Sequence, residues 1–151
     1  MSVRPATARD VQAWLVLRQE LWPECPPQQH RHEIEEQLAS PNTNAAYVYE
    51  DDQGQFLGLV EVSLRKWAEA CLSSPVGYLE GWYVCPSARG RGIGAQLVQF
   101  AESWARARGC TEMASDTDLH NADSEAAHRR LGYDVAARVI CFRKQLDERG
   151  G

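Results

Sequence analysis

Paired cysteines are missing from this 151-residue chain. Its five cysteines, Cys25, Cys71, Cys85, Cys110 and Cys141, are odd in number and scattered, with no C-x-x-C pair. Neither a disulfide framework nor a zinc site is expected, and reduced thiols are the simpler reading. A long apolar run is missing too, since nothing approaches the roughly 20 residues of a membrane span. The opening "MSVRPATARD" lacks the apolar core of a signal peptide. The expectation is a cytoplasmic protein with no membrane partner. Basic excess is the third absence: the formal net charge is -5. That argues against nucleic-acid binding through a basic stripe and favours a cationic small partner. Repeats, low-complexity tracts and linkers are also absent. His30 and His32, in "HRHEIEEQ", read as a solvated helix face rather than as metal ligands, so no metal is expected.

What is present is a globular composition, 44% hydrophobic and 25% charged, at a length that suits one domain over residues 1–151. A short strand, "SVRPA", precedes the capping pattern "TARD", which opens a helix carrying Val11, Trp14, Leu15, Val16 and Leu21 at helical spacing. The prolines of "WPECPP" end it, and a second helix spans about 28–38. "AAYVYE" and "FLGLVEVSLRKW" form a hairpin around "DDQGQ", and "VGYLEGWYV", Val76 to Val84, is a further strand. From Gly92 a helix places Ile93, Leu97, Phe100, Ala101 and Trp104 on one face and stops at Gly109. "TEMAS" is a strand, "NADSEAAHRRLG" a helix, and "DVAARVICFRK" a last strand. The order β-α-α-β-β-β-α-β-α-β predicts an α/β domain with a mixed central sheet flanked by helices. Trp14 and Trp104 are assigned to the core.

Against the acidic background stands "CPSARGRGIGAQL", Cys85 to Leu97, a glycine-rich, positively charged turn between strand and helix. A P-loop needs Lys and Ser or Thr after its glycines, but Gly94 is followed by Ala95 and Gln96. Gly90, Gly92 and Ala95 formally match a dinucleotide fingerprint. That fold needs several βαβ units downstream, and only 56 residues follow Ala95. The third pattern is R-x-x-G-x-G: Arg89, Gly92 and Gly94. Glycine amides and the unsatisfied donors of a helix start converge on one point, which suits a pyrophosphate, with Arg89 and Arg91 at the rim. The alternative is a tight, solvated turn.

"YVCPSARGRGIGAQLV" followed by "NADSEAAHRRLGY" resembles the acetyl-coenzyme A binding core of the GCN5-related N-acetyltransferase (GNAT) superfamily. The resemblance runs from residue 2 to about 144. "LW" (Leu21, Trp22), "SSPVGYLEGWYVCPS" and "EMASDT" narrow it to bacterial aminoglycoside 6'-N-acetyltransferases, which inactivate antibiotics such as kanamycin and tobramycin. The resemblance implies acetyl-CoA as cosubstrate, its pyrophosphate on Arg89, Gly90, Arg91, Gly92, Ile93, Gly94 and Ala95. It also implies further cofactor contacts at Trp82, Val84, Asn121 and His128. The Val84 amide would polarise the thioester carbonyl on a splayed strand. The implied acceptor is a cationic aminoglycoside. Other amines (a polyamine, a peptide N-terminus or a lysine) and a non-catalytic acetyl-CoA sensor are the competing functions. The family is often dimeric, so a homodimer is expected. Ala136 and Ala137 stand where relatives sometimes supply an acidic residue across subunits.

Acetylating an amine requires removing a proton from an ammonium, stabilising an oxyanion and releasing a thiolate. Glu80 is the first candidate base. It lies inside an apolar strand before Gly81, a residue that marks a bulge or close backbone approach. Burial in a cleft would suit it to the role. On alternation alone, Glu80 could equally face solvent. Asp116 follows "TEMAS" at the sheet end where ligands usually bind. By resemblance it contacts the reactive amine and shares the base role, while a loop cap is the alternative, as for Asp118. After Asn121 the family pattern places a tyrosine, the usual general acid, where this chain has His128. Histidine can donate a proton, cap or pack. Trp22 and Trp67 are candidate walls of the acceptor cleft, with core packing the alternative for Trp67.

Overall fold

A computed structural model of the chain describes residues 2–148. The chain divides into two compact units, Met1–Asp116 and Thr117–Gly151.

In the first unit a five-stranded sheet runs in chain order: β1 (Ser2–Pro5), β2 (Asn44–Glu50), β3 (Phe56–Arg65), β4 (Val76–Val84) and β5 (Met113–Ser115). The first four pair antiparallel, and β4 pairs with β5 in parallel. The hairpin turn between β2 and β3 forms because the Asp51 carboxylate accepts the amides of Gln53 and Gln55, at 2.9 and 2.8 Å, with Gly54 at φ +80°.

Helices α1 (Val11–Leu21) and α2 (Pro27–Ala39) cover one face. Trp14, Leu15 and Leu17 of α1 and Ile34 of α2 pack on Ala46, Val48 and Leu59. Each fully buried aliphatic or aromatic side chain contributes about 1.5–3 kcal/mol. Helix α1 ends as its prolines require, with the Trp22 amide donating to Arg18 O at 2.7 Å. Pro27 opens α2, where its missing amide costs nothing. Helix α3 (Ile93–Ala107) covers the opposite face. There Gly58 admits it closely, since a Cβ would lie 2.8 Å from Leu97 Cδ1. Trp14 and Trp104 are buried as expected, at 1% and 8% exposure.

The second unit contains α4 (Ala122–Arg130). The expected last strand over 134–144 is not formed: after α4 the described residues carry no helix or strand. A strand persists only where a neighbour takes up its backbone donors and acceptors. The described sheet has five strands and none pairs with this segment. Periodicity registered the apolar pattern of "RVICF" but carries no information about a partner.

Candidate active site

The site begins with a register slip. Glu61 of β3 faces Gly81 of β4, but Val62 faces Leu79, leaving Glu80 as an extra residue in a bulge. The slip inverts the alternation of β4. Gly77 lies against α3, where a Cβ would sit 2.7 Å from Ala105 Cβ. Four residues later Gly81 lies against α1, where a Cβ would come 2.5 Å from Trp22 Cη2. Trp82 now turns to α3, its Nε1 donating to Gly94 O at 3.1 Å. Gly81 thus marks both a bulge and a close approach.

Glu80 is about one-third exposed and held on both oxygens. Ser63 Oγ donates to Oε2 at 2.5 Å, Arg65 Nε to Oε2 at 2.9 Å, and Arg65 Nη2 to Oε1 at 2.7 Å. The Arg65 guanidinium carbon stands 3.4 Å from the Tyr78 ring centroid, and the Tyr78 hydroxyl donates to the Asp116 carboxylate. Burial, then the Asp116 contact, pushes the Tyr78 hydroxyl well above its usual range, so it remains a donor at physiological pH. Strand β5 pairs only with residues 77–79 of β4 and delivers Asp116 immediately after Ser115. Ser63, Glu80, Arg65, Tyr78 and Asp116 form one connected row.

Glu80 opens into a cleft of about 1040 Å³ between α1, α2 and the sheet. Five carboxylates line it, Glu24, Glu33, Glu36, Glu61 and Glu80, against a single guanidinium, Arg18. Trp22 forms part of the wall; Trp67 does not, lying beyond the end of β3 at 66% exposure. Neither the cleft nor the core role expected for Trp67 matches its position. Beneath the cleft Arg18 Nη1 donates to both oxygens of Glu61 at 2.8 and 2.9 Å. Trp14 Nε1 and Gln37 Nε2 donate to the same carboxylate at 2.8 and 2.9 Å. Arg18 and Glu61 are 3% and 2% exposed. Breaking such a buried pair from one side costs about 3–5 kcal/mol.

On the other side of the bulge, residues 80–84 of β4 have no strand partner on the β5 side among the described residues, so the strand edge is open there. The glycine turn follows. Gly90 and Gly92 take φ +80° and +79°, and a Cβ on either would meet nothing within 4 Å. Their conformation, not crowding, requires glycine. Gly92 is the N-cap of α3, and the Gln96 amide donates to Gly92 O at 3.1 Å. The amides of Ile93, Gly94 and Ala95 therefore precede the helical ladder and point out of the helix start. Arg89 folds back, Nε donating to Val84 O at 2.9 Å with the guanidinium over Tyr83. Arg91 Nε reaches Ala88 O at 3.5 Å. These donors, with open space before both glycines, fit a diphosphate.

In the second unit Asn121 caps α4, its Oδ1 accepting the Ser124 amide at 3.0 Å. Asp118 accepts the His120 amide at 3.0 Å, the loop-cap alternative. His128 Nδ1 donates to Ser124 O at 2.7 Å, and its ring meets Tyr133 edge-on with centroids 5.9 Å apart. With Nδ1–H committed to a carbonyl, only the imidazolium form donates from Nε2.

Residues 12–133 match the Acetyltransferase (GNAT) family. The chain belongs to this family. It is 49% identical over 146 residues to the aminoglycoside N(6')-acetyltransferase type 1 of Klebsiella aerogenes, covering 95% of this chain and 96% of that one. Its identity to the enzyme of the same name from Serratia marcescens is 43%, over 91% and 94% of the two chains. Among solved structures it superposes with a TM-score of 0.91 on AAC(6')-Iy in complex with the bisubstrate analogue CoA-S-monomethyl-acetylneamine. That match is 36% identical and covers 95% of this chain and 97% of that one. The apo aminoglycoside 6'-N-acetyltransferase AAC(6')-IG of Acinetobacter haemolyticus gives a TM-score of 0.92 at 36% identity, covering 97% and 100%.

In this GNAT chain the sequence pointed to Glu80, Asp116, Trp22 and the glycine turn, and missed Ser63, Arg65 and Tyr78. The first two carried a signal: polar residues at alternate positions on one face of an otherwise apolar strand. Tyr78 carried none. Glu61, charged within "LVEVS", had the same signal as Glu80. The expectation for the histidines is half corrected. His32 is solvated, pairing with Glu36 at 2.8 Å, but His30 is fully buried. Two residues on a helix stand about 200° apart, so they cannot share a face. Among the described residues no helix is long and apolar enough to cross a membrane, and no group of three or more potential ligands is placed to hold a metal ion.

Proposed function

We propose that this acetyltransferase moves the acetyl group of acetyl-CoA to the 6'-amine of an aminoglycoside antibiotic, conferring resistance to it. The observation that carries the reading is the acidic cleft opening at the Glu80 bulge, beside the open edge of β4. Its carboxylates attract and pair with a polycationic sugar. Acetyl-CoA supplies an activated thioester acyl group. The amides of Ile93, Gly94 and Ala95 hold its diphosphate, with Gly90 and Gly92 shaping the turn and Arg89 and Arg91 adding charge at the rim. The open edge of β4 offers backbone donors and acceptors to its extended arm, with the Val84 amide assigned to the carbonyl and Trp82 flanking it.

Glu80 takes the proton of the incoming ammonium, directly or through one water, while Asp116 holds the amine end of the sugar. Arg65 and Ser63 fix the Glu80 carboxylate in place, so the ammonium approaches the oxygen lone pairs that the bridge leaves over. Trp22 lines the acceptor cleft. Asn121 and His128 remain assigned to the cofactor, with His128 the proposed proton donor to the departing thiolate. The same reading makes the protein a cytoplasmic homodimer. Exposed Val139, Ile140, Phe142 and Leu146, between 61% and 91% accessible, support an apolar surface to be covered by a second copy.

The test is free-thiol release from acetyl-CoA with purified protein and kanamycin, tobramycin, spermidine or a lysine peptide. Release with the aminoglycosides alone is expected. Release only with spermidine or peptide would move the substrate class. Cofactor binding without release to any amine would make the protein a sensor.

A further inference from the structure

The buried network under the acceptor cleft also contains His30, which neither the catalytic row nor the charge balance uses. Its side chain is completely buried, and both ring nitrogens are engaged. Arg18 Nε donates to His30 Nδ1 at 3.1 Å. Nε2 lies 3.1 Å from Trp22 O. An arginine Nε only donates and a carbonyl oxygen only accepts, so both partners independently require the same tautomer, with the proton on Nε2. His30 is therefore a neutral connector of one fixed polarity between Arg18 and the Trp22 backbone.

Everything this connector touches converges on Trp22. The two rings lie nearly parallel, 21° apart with centroids 6.4 Å from each other. The Arg18 guanidinium sits 4.8 Å from the Trp22 ring centroid, itself held by Glu61 and by Glu33 at 2.6 Å. The Trp22 carbonyl also accepts the Cys25 amide at 3.2 Å, closing the turn from Trp22 to Cys25. The far edge of the indole rests on Gly81, the residue after Glu80. A buried arginine and glutamate are costly to desolvate, and apolar residues of similar size often replace such a pair without loss of stability. One hydrogen bond of the network, from His30, reaches Trp22, a residue that walls the acceptor cleft.

We propose that His30 is a positioning residue for the acceptor amine, acting through Trp22: it holds the Trp22 to Cys25 turn so that the cleft wall stands at a fixed place beside Glu80. This rests on the acceptor assignment made above. His30 does not touch the reacting atoms.

Two substitutions separate its two contacts. In His30→Gln the side-chain amide nitrogen reaches the Nε2 position and still donates to Trp22 O, while the acceptor for Arg18 is lost. In His30→Asn the amide oxygen occupies the Nδ1 position and still accepts from Arg18, while the contact to Trp22 is lost. KM for kanamycin is expected to rise about tenfold or more in His30→Asn, because small misplacements near the reacting atoms carry large kinetic penalties. It should stay close to wild type in His30→Gln, and KM for acetyl-CoA should not change in either. Hydrogen exchange of the amides from Trp22 to Cys25 provides a readout independent of turnover, faster in His30→Asn and preserved in His30→Gln. Equal kanamycin KM in the two variants, or losses that follow melting temperature and affect both substrates alike, would overturn the proposal. Should His30→Asn fail to fold, Gly81→Ala displaces the same indole from the opposite side. An unchanged kanamycin KM there would overturn the proposal too. If wild-type protein acetylates no aminoglycoside, the acceptor assignment fails. The exchange pattern then decides whether His30 holds the turn at all.

Discussion

The two halves of the site are built in different ways. The glycine turn and the start of α3 are backbone constructions: a left-handed N-cap at Gly92, three amides ahead of the helical ladder, and an open strand edge. The acidic cleft is a side-chain construction. It draws Trp22 from the end of α1, Glu33 and Glu36 from α2, Glu61 and Ser63 from β3 and Glu80 from β4. A backbone device depends on residues that are neighbours in sequence. A side-chain device depends on strand register and helix rotation, and one residue of slip rearranges it. The half proposed to hold acetyl-CoA can therefore be local. The half proposed to receive the acceptor is assembled from distant pieces.

Substitutions that act on one half alone give the sharpest test of that division. The largest effect is expected for Glu80→Gln: kcat should fall by about a hundredfold or more, the usual contribution of a general base. KM for acetyl-CoA should be unchanged. Retained turnover at neutral pH would remove Glu80 from the base role and leave Asp116. Gly92→Ala should act on the other half. Left-handed backbone costs a non-glycine residue about 1–2 kcal/mol, and a Cβ there meets no other atom within 4 Å. KM for acetyl-CoA should rise severalfold while kanamycin KM holds, and a rise in both would argue that the halves are coupled.

The smallest kinetic effect should come from Asp10→Asn, outside both halves. Asp10, 8% exposed, accepts from Arg4 at 2.8 and 3.0 Å and from the Thr7 amide at 2.8 Å. The Arg4 hydrogen bonds hold its carboxyl below the usual range against the opposing effect of burial. A folded-state pKa below the unfolded value means the stabilisation is fully present above about pH 4 and disappears as pH falls further. Denaturation should show Asp10→Asn less stable by about 1–3 kcal/mol at pH 7, the gap to wild type closing in acid and both KM values unaltered.

Legibility in the sequence followed the same division. Strand β4 was read to its end residues because its composition is apolar and its boundaries carry turn residues. The glycine turn was read because its chemistry lies in consecutive positions. The cleft was read only where a residue broke a local pattern, as Glu80 did. Alternation could not settle which way Glu80 pointed, because the bulge reverses the alternation at that residue. His30 was misread because its neighbour His32 is solvated and the segment as a whole is polar. The row from Ser63 to Asp116 needs the pairing of three strands, and the segment 134–144 shows the converse, a strand pattern without a partner.

The bulge at Glu80 also supplies the β4 side chain that lines the cleft. Gly81 pairs with Glu61 and Leu79 with Val62, so the residues flanking Glu80 already alternate across it. Removing Glu80 would therefore leave unbroken alternation, with Gly81 still against Trp22 and Trp82 still against Gly94. The extra residue adds a carboxylate to the cleft face while the packing on either side of it keeps its aim.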